Sequence, residues 1–223
     1  MDVPETSPIK AVIVQVTPFQ QNCSIIWCAE TKRGALIDPG GEAEQLIAEV
    51  TARDIAIEKI LVTHGHIDHV GAVAELAEHF GVPIEGPQLE DRFLTETVEE
   101  QGARFGIAGR SFEPDRWLEE NDVVTVGAQS FAVRHCPGHT PGHVVFVHEI
   151  ARLAFVGDVL FQGSVGRTDF PRGDAATLIQ SIVTKLWPFG DDIVFVPGHG
   201  PASSFGQERQ NNPYVADRAL RRA

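Results

Sequence analysis

The stretch KILVTHGHIDHV, residues 59–70, decides the fold. Its first five residues, Lys59, Ile60, Leu61, Val62 and Thr63, form an apolar, β-branched run of the kind that makes a buried strand. Directly after it come His64, Gly65, His66, Ile67, Asp68 and His69, a dense set of metal-capable side chains. In extended or turning backbone, alternation sends His64 and His66 to one side, while Asp68 and His69, being adjacent, diverge towards a second ion. A helical HExxH site works differently, with both histidines on one helical face. Gly65 lets the backbone take turn conformations that a side chain would obstruct.

Further candidate ligands stand elsewhere in the chain. His139 lies in CPGHTPGH (residues 136–143), Asp158 in VGD (156–158) and His199 in VPGHG (196–200), each after a predicted strand or within a turn. With His64, His66 and His69, five of the nine histidines are candidate ligands in such places, which make up a small part of the chain, so chance clustering is a poor explanation. Imidazole and carboxylate donors without thiolate suit zinc, iron, manganese or nickel by softness. Two divalent ions are therefore expected, zinc first and iron or manganese as alternatives.

Each candidate has a plainer reading beside it. Asp158 in a Gly-Asp step also fits a turn residue, and only the company of the other ligands lifts it above that. His79 in a predicted helix and His148 at a strand end read as ordinary surface residues, and His135 as structural. His143 either orients a ligand from behind or begins the next strand.

Strands are expected over residues 10–16, 23–28, 35–38, 59–63, 123–126, 131–135, 144–147, 153–156 and 193–196. Ala43, Leu46, Ile47 and Val50 recur with helical spacing, and further helices are expected near 70–80, 90–104 and 175–186. Strands in runs, with helices between the runs, predict an α/β fold of two packed sheets with helices outside. A single parallel sheet fits less well, because several connections are too short for a crossover helix.

Composition narrows the function. With 18 Lys plus Arg against 31 Asp plus Glu, the formal charge is −13, which disfavours a nucleic-acid partner. A site for a small anion would need bound cations to reverse the local sign. No apolar run approaches the roughly 18 residues of a membrane span. Residues 1–10 carry acidic residues and prolines where a secretory leader has a basic start and an apolar run. Three cysteines, Cys23, Cys28 and Cys136, are odd in number and show no CxxC pairing, so reduced thiols in a cytoplasmic setting are expected. The sequence sets no oligomeric state.

THGHIDH (residues 63–69), with His139, Asp158 and His199, resembles the signature of the metallo-β-lactamase superfamily, and the match spans nearly the whole chain. The resemblance implies a four-layer αβ/βα sandwich, one domain over residues 1–223, with two metals in a cleft at one edge. By that pattern His64, His66 and His139 hold one metal, Asp68, His69 and His199 hold the other, and Asp158 bridges both together with a water. HCPGHTPGH (135–143), GRTDFPRGD (166–174), PGHGP (197–201), QNCSIIWC (21–28) and QERQNNPYV (207–215) are similar to the glyoxalase II group, most closely its short bacterial hydroxyacylglutathione hydrolases. The basic C-terminal helical extension of the long forms is expected to be absent or much shortened. Arg167 then becomes a candidate contact for a substrate carboxylate, or else a surface salt bridge.

The implied reaction is hydrolysis of S-D-lactoylglutathione to glutathione and D-lactate by a metal-bridging hydroxide, with Asp158 bridging and Asp68 able to bind metal and accept a proton. A thiolate leaves without strong help, its conjugate acid having a pKa of about 8.5, whereas an amide nitrogen needs protonation. The main alternative is an iron-dependent glutathione persulfide dioxygenase of the same fold, using His64, His139 and Asp158 on one iron. A β-lactamase, a nuclease and a regulatory metal-binding module are more distant readings.

Overall fold

A computed structural model of the chain describes residues 7–221. Residues 1–6 and 222–223 lie outside the described residues, and with them most of the leader reading of residues 1–10 and both ends of the single-domain expectation.

The first sheet holds β1 (Ile9–Val16), β2 (Gln21–Cys28), β3 (Arg33–Ile37), β4 (Ala56–Leu61) and β5 (Ile84–Glu85), in that spatial order. Its first three strands form an antiparallel meander, and pairing turns parallel at β3–β4 and β4–β5. Helix α1 (Ala43–Ala52) makes the first crossover, and α2 (Ile67–Val70) with α3 (Val73–Phe80) makes the second. Helices α4 (Arg92–Thr95) and α5 (Val98–Phe105) follow. The second half contains β6 (Val123–Val126), β7 (Gln129–His135), β8 (Val144–His148), β9 (Leu153–Gly157), a small hairpin β10 (Leu160–Phe161) and β11 (Ser164–Val165), then α6 (Ala175–Ser181), β12 (Val194–Pro197), β13 (Ser203–Ser204), α7 (Phe205–Asn211) and α8 (Asp217–Leu220). The second sheet runs β13-β12-β9-β8-β7-β6, parallel only where β12 meets β9.

Strand alternation divides the apolar residues among three cores. Ile25, Leu36 and Ile60 pack with Leu46 and Val50 of α1 and with Val73 and Leu76 of α3. Ile26, Ala35, Ile37 and Leu61 point the other way, onto Phe131, Val133, Val144, Phe146 and Phe155 of the second sheet. Val145, Val147, Ala154 and Phe195 back onto Leu178, Ile182, Trp187 and Phe205. Helix, sheet, sheet and helix thus form the four expected layers. Among the described residues no helix is long and apolar enough to cross a membrane. Cys23, Cys28 and Cys136 are buried and unbridged.

Several local expectations change. The helix expected over 70–80 begins at Ile67 and is interrupted, because Ala72 N bonds to Pro39 O at 3.0 Å and leaves the helical ladder. Asp68 and His69 therefore diverge as neighbours on a helical turn, not along an extended loop. The helix expected over 90–104 is broken into a 3-10 turn (Leu89–Asp91), α4 and α5, with the Gln101 side chain donating to Leu94 O at the break. The helix expected over 175–186 ends at Ser181 and widens into a π turn. His148 is buried, not on the surface: its Nε2 pairs with Gln129 Oε1 (3.1 Å) and its Nδ1 accepts from Ala151 N (2.9 Å). The two-residue strands are too short for any periodicity to announce them.

Phe146 lies fully buried between the sheets, in register with Phe155. Truncation to Ala should cost about 3–5 kcal/mol, read as a lowered denaturation midpoint; a change within experimental error would contradict the inter-sheet core described here.

Candidate metal centre

The turns that follow β3, β4, β7, β9 and β12 open at one end of the sandwich, and backbone bonds lash them together. Val144 N donates to Thr63 O (2.8 Å), Asn22 N to Gly198 O (2.7 Å) and Gly198 N to Gly157 O (2.8 Å). The packing leaves no room for side chains on Gly157 and Gly198. A Cβ on Gly198 would stand 2.1 Å from Asp158 Oδ1 and 2.6 Å from His69 Cε1, and Gly157 adopts φ 48°, which an L side chain rarely takes.

Within this frame all seven predicted ligands come together. His64 Nε2 and His139 Nε2 lie 3.1 and 3.0 Å from His66 Nδ1. His199 Nε2 is 3.1 Å and His69 Nε2 3.8 Å from Asp68 Oδ2. Asp158 stands between the two groups, its Oδ2 3.6 Å from His139 Nε2 and 3.7 Å from His199 Nε2, its Oδ1 3.4 Å from His69 Nε2. Donors at about 2.0–2.1 Å from a tetrahedral ion are themselves about 3.4 Å apart, so these spacings match the edges of two coordination shells. Both triads have the donor types and proximity needed to hold an ion.

The opposite ring nitrogens settle which lone pairs face inward. His69 Nδ1 donates to Asp38 Oδ2 (2.9 Å), His139 Nδ1 to Arg167 O (2.7 Å) and His199 Nδ1 to Phe19 O (3.1 Å). His64 Nδ1 donates to Thr63 Oγ1 (3.1 Å), whose own proton goes to Asp38 Oδ2 (2.6 Å). These tautomers, assigned from the partners, leave each Nε2 lone pair directed at the centre. Burial pushes the His64 imidazole well down and the His66 imidazole down to about 3, the latter helped by the charge of His139, so both stay neutral donors. Burial also opposes charge on Asp158 and Asp68, but the nearby His69 outweighs it and holds both carboxylates below their usual range. His69 Nε2 and Asp158 Oδ1 are buried with no hydrogen-bond partner. A bound cation supplies the missing partner for both, so the donor set fits a metal pair.

Two carboxylates escaped sequence reasoning. Asp38, at φ 53° after β3, accepts from Thr63 N (2.7 Å) and Thr63 Oγ1 as well as from His69, and so fixes the loop that carries four ligands. Its only sequence signal is an Asp closing an apolar strand in ALIDPGG. Asp91 is buried and accepts from Gly65 N (3.0 Å), Thr140 Oγ1 (2.8 Å) and Gly142 N (2.6 Å), clamping the His64–His66 turn to the His139 turn. Nothing in its sequence context marks it. His143 joins neither ligand group. Its ring stacks on His64 (centroids 4.6 Å, 18° between planes) and its Nε2 accepts from Asp158 N (3.0 Å), which makes it a support behind two ligands.

A cleft of about 790 Å³ opens over the centre, walled by Phe19, Phe93, Phe161 and Phe170. Arg167 lines it, but its guanidinium is closed on Asp169 through two bonds of 3.0 and 2.8 Å and lies over the Phe170 ring, the salt-bridge arrangement rather than an open anion contact. Arg104 lines the cleft without a carboxylate partner among the described residues.

Asp38→Ala should lower metal affinity by about 10–100-fold, seen by competition with a chelator, because the His69 and His64 rings lose their anchor; unchanged affinity would show that the anchor is dispensable. Burial lifts the Asp91 carboxyl from 3.8 to about 6, despite hydrogen bonds from Thr140, Gly142 and Gly65. Its contribution to stability is then present below about pH 4 and lost as pH rises through 6. Denaturation of Asp91→Asn at fixed metal content should lack that part of the pH slope, and should show a loss of about 1–3 kcal/mol because an amide cannot accept from all three donors.

The sequence pattern of the metallo-beta-lactamase superfamily matches residues 16–199. A hydroxyacylglutathione hydrolase (GloC) of Haemophilus influenzae is 51% identical over 205 residues, covering 91% of this chain and 96% of that protein. Among solved structures, a protein designated TTHA1623 in a di-iron-bound form has a TM-score of 0.83 at 37% identity, covering 92% of this chain and 100% of that one. BLEG-1, a B3 metallo-beta-lactamase, has a TM-score of 0.85 at 32% identity, covering 92% and 99% respectively. With its sandwich, its converging ligand turns and these likenesses, the chain belongs to the metallo-beta-lactamase superfamily.

Proposed function

We propose that this protein is a dinuclear metallohydrolase that cleaves the thioester of a hydroxyacylglutathione, S-D-lactoylglutathione foremost, to glutathione and a 2-hydroxy acid. The observation that carries the reading is Asp158, one buried carboxylate within reach of both ligand groups at the floor of an aromatic-walled cleft. In this reading His64, His66 and His139 hold one ion, Asp68, His69 and His199 the other, and Asp158 touches both. Zinc suits the donors, and iron equally so, since no cysteine belongs to either group. Two such ions supply an activated water and polarise the acyl carbonyl.

The chain's own residues do the positioning. Hydrogen bonds at Nδ1 of His64, His69, His139 and His199 fix those rings so that each Nε2 points inward. Asp68, held ionised, is a ligand and a proton acceptor next to the acyl group. Phe19, Phe93, Phe161 and Phe170 exclude water from the acyl chain and from the sulfur that departs as thiolate. The identity of 51% to a hydroxyacylglutathione hydrolase, against 32% to a β-lactamase, supports a thioester as substrate. A mononuclear iron site of His64, His139 and Asp158 would leave unused both His66 Nδ1, within 3.1 Å of the other two nitrogens, and the whole second group.

The test follows S-D-lactoylglutathione absorbance and dissolved oxygen together, on protein of measured metal content. Thioester loss with constant oxygen and about two metals per chain is expected. Oxygen uptake on glutathione persulfide, or turnover of a β-lactam in place of the thioester, would overturn the proposal. Asp158→Ala should lose metal and reduce kcat by on the order of 10²-fold or more, and wild-type turnover in that variant would remove Asp158 from the mechanism.

A further inference from the structure

The arginines of this acidic chain are mostly closed on carboxylates, as Arg110 is on Glu78 and Arg116 on Glu85 and Asp122. Arg167 follows the same habit at the cleft. Arg104, in the last turn of α5, does not: it is exposed, it lines the cleft, and it has no carboxylate or hydrogen-bond partner among the described residues. Glu100, one turn earlier on the same helix, lines the same cleft and is likewise without a partner. The two stand at i and i+4, a spacing at which Glu and Arg commonly pair. Here they do not pair with each other, so one full negative and one full positive charge are presented side by side to the cleft.

We infer that Glu100 and Arg104 form the subsite for the γ-glutamyl end of glutathione, an inference that rests on the glutathione-thioester reading above. That end of the tripeptide carries an α-ammonium and an α-carboxylate on a single carbon. A guanidinium takes the carboxylate through paired N–H donors, and a carboxylate takes the ammonium. The Cβ atoms of an i, i+4 pair are about 5–6 Å apart, and the long side chains on them admit a zwitterion between their ends. The glycyl end has a carboxylate alone, which Glu100 would repel, so the mixed pair selects the γ-glutamyl end. Arg172, another guanidinium near the cleft, has its Cζ over the Phe93 ring, 4.2 Å from the centroid, and does not line the cleft. The subsite stands on the α5 wall of the cleft that the candidate ligands also line, where it fixes the thiol half of the substrate while the acyl carbonyl meets the centre.

The experiment compares kcat/KM on S-D-lactoylglutathione and on S-D-lactoyl-cysteinylglycine, which lacks the γ-glutamyl residue, for metal-loaded wild type, Arg104→Gln and Glu100→Gln. Wild type should prefer the full thioester, and each substitution should shrink that preference by about tenfold, through KM. A substitution that merely disturbed the fold would depress both substrates and leave the ratio alone. A preference that survives in both variants, or a wild type with none, overturns the subsite and leaves the thioesterase reading standing. A wild type that hydrolyses neither thioester overturns the functional reading and the subsite with it.

Discussion

His69 Nε2 and Asp158 Oδ1 face each other across 3.4 Å, both buried and neither hydrogen-bonded, and this end of the molecule is organised around that pair. A buried polar atom without a partner is costly, more so when it is charged. Holding two of them together calls for compensation, and a cation between imidazole and carboxylate would provide it. The same requirement explains the surrounding hydrogen bonds. Asp38 fixes the far side of His69, His143 takes the backbone of Asp158, and Thr63 joins Asp38 to His64. Each bond turns a lone pair towards one point.

Such aim depends on a rigid frame. The ligands come from separate turns on two sheets, and each sheet is held between apolar layers, with three cores stacked across the domain. A fully buried Phe or Leu in such a core contributes about 1.5–3 kcal/mol, so the strand ends are firmly placed. Bonds such as Val144 N to Thr63 O and Asn22 N to Gly198 O then carry that placement across the gap between sheets. The Asp91 clamp repeats the principle one layer out, joining the turns of His66 and His139 through a carboxylate that touches no candidate ligand side chain. The cleft walls are built differently. They come from α4, α5 and the loops around β10 and β11, short elements that admit variation without disturbing the centre.

What could be read from the chain depended on how local its signal was. HxHxDH followed an apolar strand, and histidines in Gly/Pro turns recurred after other strands, so the seven ligand candidates and the two-sheet layout were legible. Asp38 and Asp91 were not, because a lone Asp in a turn looks the same whether it faces water or clamps two buried loops. His148 was misjudged for the same reason: a strand-end histidine has no local mark of burial, and its partners are Gln129 at the start of β7 and Ala151 in the turn after β8. Arg167 could have been read more closely, since Asp169 two residues on is the partner it takes.

The sequence by itself determined which side chains offer nitrogen and oxygen donors, and where the strands that deliver them lie, since both follow from residue type and short-range periodicity. Tertiary structure alone decided that the donors form two groups sharing Asp158, which ring nitrogen of each histidine faces inward, and which charges in the cleft stay unpaired. Those properties are distances and hydrogen bonds between residues as far apart as Asn22 and Gly198, and they exist only once the sheets have packed.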